Sequence, residues 1–149
     1  MKYTNDNEHD TEINIANDNE TSLEFLFCSF ENRVTISNCT IEKMDFDATH
    51  FFGGLLLEDC TIKCKVRWTS GGHNKKPLVI RNCTFLEFVD FEDCSFESEV
   101  ILENVMFHEG TNLFGNKNTP VEVVFEIEPE MKNVCGNLSM EPFKHRSKD

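Results

Sequence analysis

Basic residues are in short supply: the 149-residue chain has 14 Lys and Arg against 27 Asp and Glu, a formal net charge of -13. That balance argues against a general nucleic-acid or anionic-membrane binder held by many phosphate contacts, and favours a protein partner with a basic surface. Long apolar runs are also missing. Met1 and Lys2 lead into a polar, acidic stretch with no secretion-signal core, and no later segment is apolar enough to span a bilayer. The expected compartment is therefore the cytoplasm, with no membrane partner. Seven cysteines are an awkward odd number for a disulfide framework and read as reduced thiols. Catalytic signatures are absent too. There is no GxSxG, no HExxH and no glycine-rich phosphate loop, and the five histidines show no motif spacing. No enzyme, metal or cofactor is expected.

What the chain has is a repeat. Small or branched residues recur at Cys28, Cys39, Thr49, Cys60, Gly71, Cys83, Cys94 and Val105, spaced by 11, 10, 11, 11, 12, 11 and 11 residues. Five residues before these anchors stand Leu23, Val34, Met44, Leu55, Val66, Leu78, Val89 and Val100, and three before them Phe25, Ile36, Phe46, Leu57, Trp68, Ile80, Phe91 and Leu102. Two residues after the anchor the chain carries Phe or Ile in every copy except the fifth, where His73 stands. Apolar residues at alternate positions describe short half-buried strands. Asn38, Asp59, Asn82, Asp93 and Asn104, each just before an anchor, suit a tight corner because Asn and Asp tolerate unusual backbone angles. Two copies make a circuit of about 22 residues, and stacking such circuits about 4.8 Å apart lets every backbone group pair above and below. The expected fold is all-β: a short right-handed parallel β-solenoid of about four coils over residues 23–115. Residues 1–22 are expected as a polar, acidic arm or cap, and residues 116–149 as a capping strand near Val121–Ile127 followed by an irregular tail.

The stretch VDFED-CSFES-E-VILEN-VMFHE-G reads as paired five-residue units with one extra residue per pair. It resembles the pentapeptide-repeat family, and the likeness covers about residues 23–115. The resemblance implies a right-handed parallel β-helix that is mostly non-enzymatic. Some acidic members of that family resemble duplex DNA in shape and charge and inhibit DNA gyrase.

Cysteine, threonine, glycine and valine substitute for one another at the anchors, which points to small buried side chains, since only cysteine among them is a metal ligand. Outward positions offer more. In the odd copies they include Glu24, Asp45, Asp47, Asp90 and Glu92, an acidic face that either keeps the protein soluble or occupies a basic groove of a nucleic-acid-handling enzyme. The same carboxylates offer a third, enzymatic reading, as in large β-helix enzymes that act on polysaccharides. In the even copies Thr35, Leu56, Val79 and Ile101 form an outward apolar stripe, to be covered by a tail or by a second copy. The Gly71–Pro77 segment reads as a protruding loop. It lies in a basic stretch, Lys63 to Arg81, where Trp68, Lys75 and Lys76 are candidate contacts. Asn82 to Asn116 contains acids but no Lys or Arg.

Overall fold

The structure, a computed structural model, describes the backbone of residues 2–4, 8–9 and 11–143, and side chains from residue 11 onward. Each eleven-residue copy bends once in its middle, so two copies close a circuit with four short sides, here called A, B, C and D in chain order. All strand pairing is parallel and links one circuit to the next. Side A stacks Lys2–Thr4, the end of Thr21–Leu26, the end of Thr40–Asp45, Val66–Arg67 and Val89–Asp90. Side B stacks Glu8–His9 on Ser29–Phe30 and continues by single bridges through His50 and Gly72 to Ser95–Phe96 and Val124–Phe125. Side C is the most regular, with Ile13–Ala16, Val34–Ser37, Leu55–Glu58 and the first halves of Leu78–Phe85 and Val100–Phe107 in register. Side D carries Thr40, Thr61, Thr84 and Met106 as successive rungs. Equivalent side C positions, Leu55, Leu78 and Val100, are 23 and 22 residues apart, as the repeat requires.

Alternation decides what is inside. All sixteen residues at the two inward positions are at most 3% exposed. Aromatic rings continue this order across coils. Phe25 stacks on Phe46 with centroids 5.1 Å apart, Phe46 meets Trp68 at 5.0 Å, and Trp68 meets Phe91 at 5.2 Å. Trp68 is fully buried, which removes it from the candidate surface contacts: its position three residues before the anchor points it inward.

The corners follow the residue preference read from the sequence. In all eight copies the residue before the anchor is left-handed, with φ between 50° and 62°. At the C–D corner these residues are Asn or Asp, and their side chains form a ladder: Asn38 donates to Asn17 at 2.7 Å, Asn82 to Asp59 at 3.1 Å, Asn104 to Asn82 at 3.0 Å and Asn133 to Asn104 at 2.7 Å. At the A–B corner Phe27, Ala48 and Ser70 hold the same conformation without that preference. Phe27 is 54% exposed, so its side chain recovers little of the roughly 1 kcal/mol that left-handed geometry costs a bulky residue. Changing Phe27→Asn is expected to stabilise the protein by about 1 kcal/mol, seen as a higher urea midpoint with an unchanged slope.

The ends extend the stack. Residues 2–16, read as part of an arm or cap, supply a first layer of strands, with Ile13 buried. Beyond the repeat only Val124–Phe125 of the expected capping strand pairs. Glu130–Cys135, in the stretch read as irregular, instead pairs with Val100–Phe107 and adds a sixth strand to side C. Backbone bonds from Thr111 to Asn137, Phe114 to Leu138 and Met140 to Thr111 continue that layer onto side A. The missed copy is legible afterwards as Met131, Asn133 and Val134, matching Leu102, Asn104 and Val105. Ten or so intervening residues and a glycine in place of the usual Phe hid it. His145 lies outside the described residues.

Candidate functional site

The anchor cysteines are donors to the corner. Cys39, Cys60 and Cys83 stack on one another, and each Sγ lies 3.2 Å from the carbonyl two residues earlier. Thr49 makes the equivalent bond through its hydroxyl, at 3.2 Å to Asp47, and Cys94 reaches the Trp68 carbonyl at 2.8 Å. A small side chain with a weak donor is what this position needs, so Cys and Thr interchange there. Burial pushes the Cys94 thiol up to about 12, and contact with Cys60 followed by burial pushes Cys83 up as well. Thiolate is thus disfavoured where a nucleophile or metal ligand would need it. All seven cysteines are free, and only Cys135 is exposed. Iodoacetamide at neutral pH is expected to label Cys135 first and the five buried thiols only on unfolding, read by intact mass. The folded value for Cys94 lies above the ordinary thiol value, so the neutral form is favoured by folding. Its contribution to stability is full below about pH 8.5 and is lost as pH rises towards 12.

Side A carries the acidic candidates. Glu24 pairs with Lys43, and that hydrogen bond holds the ammonium charged above its ordinary range. Arg67 grips Asp45 with two bonds, Nε to Oδ1 at 3.0 Å and Nη2 to Oδ2 at 2.7 Å, and has a second carboxylate, Asp47, at 3.8 Å. Thr69 also donates to Asp47. Asp90 accepts from Asn112 at 2.8 Å and from the Glu92 backbone at 2.9 Å. The row Asp45, Arg67, Asp90 therefore alternates in sign at its centre. Beyond it, partial burial and then Asp90 and Asp93 push the Glu92 carboxyl up. Asp93, read from the sequence only as a corner residue, completes this acidic group.

The basic stretch turns out to be a neutralising layer. Lys63, Arg67 and Arg81 each meet an acid one coil earlier: Glu42 at 3.4 Å, Asp45 at 2.7 Å and Glu58 at 3.7 Å. Like charges stacked on parallel strands would repel, and interleaving avoids this. Lys75 lies over the Phe52 ring at 4.8 Å, and Lys76 is exposed.

The Gly71–Pro77 segment protrudes only at its end. Gly72 bridges His50 and Ser95 in the side B stack with φ of 93°, and a Cβ there would sit 2.5 Å from the Ser95 carbonyl oxygen. His73 is left-handed and faces outward, while Asn74 turns inward and is fully buried. This brings together two histidines that sequence spacing left apart. The His50 and His73 rings meet edge to face at 4.6 Å, and His73 Nδ1 lies 2.7 Å from Glu97. Burial, then His73, holds the His50 imidazole below its ordinary range. The signal was a spacing of one coil, 23 residues. Among the described residues no group of three or more His, Cys, Asp or Glu is placed to hold a metal ion, and no helix is long and apolar enough to cross a membrane.

On side C, Thr35, Leu56, Val79 and Ile101 are successive rungs of one row and all are partly exposed. The C-terminal strand stacks on the end of this row, placing Glu130 beyond Ile101, and does not lie across it. A depression of about 390 Å³ opens between Leu56 and Val79, rimmed by Arg33, Lys76 and Arg81. The chain matches no protein-family model, no curated protein and no solved structure.

Proposed function

We infer that this protein is a non-enzymatic interaction module whose side A offers a local acidic contact to a basic protein surface. The observation that supports this reading is the Asp90, Glu92 and Asp93 group, where crowding raises the Glu92 carboxyl. A basic partner would relieve that repulsion, giving fast and salt-sensitive association. Asp45 and Asp47 contribute less, because Arg67 already engages both. The narrower form of the reading is an inhibitor that stands in for nucleic acid on a DNA- or RNA-handling enzyme, gyrase-like or a nuclease defence complex. It draws on the net charge of -13 and on the resemblance of the repeat to pentapeptide-repeat proteins.

The test compares immobilised native protein with an Asp90→Asn, Glu92→Gln, Asp93→Asn variant in an extract at low and high salt. Asn keeps the oxygen that Asn112 and the Glu92 backbone use, so the fold is spared. A partner retained by native protein only, and released by salt and by added duplex DNA, supports the reading in its narrower form. Release by salt but not by DNA leaves the acidic contact without mimicry. Equal retention by both proteins, or none, makes side A a solvated face.

A further inference from the structure

Sides A and C are non-adjacent in a four-sided circuit, so a partner on side A leaves side C open. Three parallel rows on side C carry a pattern that a solvated face has no need of. The middle row is Thr35, Leu56, Val79 and Ile101. On one flank run Ser37, Glu58, Arg81, Glu103 and Lys132, alternating in sign from Glu58 onward. On the other flank Arg33, Gly54, Pro77 and Glu99 follow one another, since Val34, Leu55 and Leu78 bond in turn to the carbonyls of Gly54, Pro77 and Glu99. Every row is therefore ordered about the same height, midway between the Leu56 and Val79 rungs.

We propose that side C is a self-association surface on which a second copy of this chain docks antiparallel, about a two-fold axis passing between Leu56 and Val79. Such an axis reverses the order of rungs while keeping each row on itself. It sets Leu56 against Val79 and Thr35 against Ile101, each pair twice, which covers the whole apolar row. On the flanks it sets Glu58 against Arg81 and Arg33 against Glu99, each again twice, so four opposite-charge pairs close around the apolar centre. Gly54 and Pro77, short and rigid, sit across from one another beside the axis and permit close approach. The cation-rimmed depression between Leu56 and Val79 lies on the axis itself and receives the facing aliphatic side chains.

Charge selects this height over its neighbours. An axis through the Val79 rung would oppose Arg81 to Arg81 and Glu58 to Glu103, and like charges across an interface are costly. The parallel arrangement, with an axis along the stack, would put the apolar row on itself but the Glu58 flank over the Arg33 flank at equal heights. This pairs Arg81 with Pro77 and Glu103 with Glu99, losing the complementarity. Size sets the strength. Six rungs about 4.8 Å apart and a side of five to six residues give roughly 29 by 18 Å. The area buried is then near 1,000 Å² over both copies, the low end for specific association. The dimer is reversible, forming in the micromolar range and above.

Sedimentation velocity over about 5 to 500 µM, at low and moderate salt, measures it. Arg81→Glu and Glu58→Arg, each alone, are expected to weaken association by at least about tenfold, because each brings like charges together across the axis. Far-UV spectra and urea midpoints establish that both variants fold. The decisive arm mixes the two variants. An Arg81→Glu copy has acids at both positions and a Glu58→Arg copy has cations at both, so the heterodimer regains all its cross-axis pairs. Neither copy regains its own internal Glu58–Arg81 contact. Recovery of association in the mixture supports the proposal. Native protein that stays monomeric at 500 µM overturns it, as do variants that dimerise like native protein or a mixture that does not recover. None of these residues belongs to the acidic group on side A, so the extract experiment can fail or succeed independently.

Discussion

Replacing Asn74 with alanine is expected to cost about 3 to 5 kcal/mol of folding free energy, a large share of the 5–15 kcal/mol typical of a domain. Asn74 is fully buried, and its one amide serves four backbone groups. Its Nδ2 donates to the carbonyls of Lys76 at 3.0 Å and Glu99 at 3.1 Å, and its Oδ1 accepts from the backbone of Glu97 at 3.1 Å and Ser98 at 3.5 Å. Alanine removes every partner and leaves buried groups that water reaches poorly, which costs more than the bonds themselves contribute. Leucine is expected to be no better, since the deficit is polar and not volumetric. A protruding loop would predict a change within about 0.5 kcal/mol. Urea denaturation of the variant separates the two outcomes, and a shift that small would refute the buried arrangement of this segment.

Trp68→Ala is the other large loss, about 3 to 5 kcal/mol. The indole is in contact with Phe46, Phe51 and Phe91, so one ring ties together aromatic side chains from three coils. Truncation opens a cavity in the middle of the stack, where neighbouring coils cannot close in without breaking parallel pairing above and below. Trp68→Phe is the informative control. The indole Nε1–H is buried with no acceptor among the described residues, so phenylalanine loses volume but also relieves an unsatisfied donor. Its cost is expected to stay below about 1.5 kcal/mol. As the only tryptophan, Trp68 also reports on the native core, and its emission should shift to the red in one step with the far-UV signal. If Trp68→Ala shifted the midpoint no more than a surface change does, the inward placement of this side would be wrong.

If both interaction surfaces operate, the dimer joins two copies by side C and leaves their acidic A sides facing away from each other. Two separated basic sites could then be engaged at once, with avidity set by their spacing. Tighter retention of a bivalent basic partner by native protein than by Arg81→Glu would be the signature.

The repeat period, the inward residues and the corner positions were all legible in the sequence, because each is set locally. A strand alternates its side chains whatever lies next to it, and Asn38, Asp59, Asn82, Asp93 and Asn104 tolerate left-handed geometry by their own chemistry. The acidic and apolar outward rows could be listed from the same alternation. What surrounds an outward residue could not, because its neighbours lie one coil away and coil length varies by a residue or two. Only the stacked structure puts Arg67 on Asp45, His73 on His50 and Asn74 beneath Glu97, and shows Asp93 joining Asp90 and Glu92. The terminal layers were hidden for a related reason. Asn17 and Asn133 occupy the corner ladder, but Glu20 and Gly136 stand where Phe or Ile completes the motif. A strand at the end of a stack has one neighbouring coil to satisfy instead of two, so pairing with the coil beside it holds it in place where its own sequence is too weak to announce it.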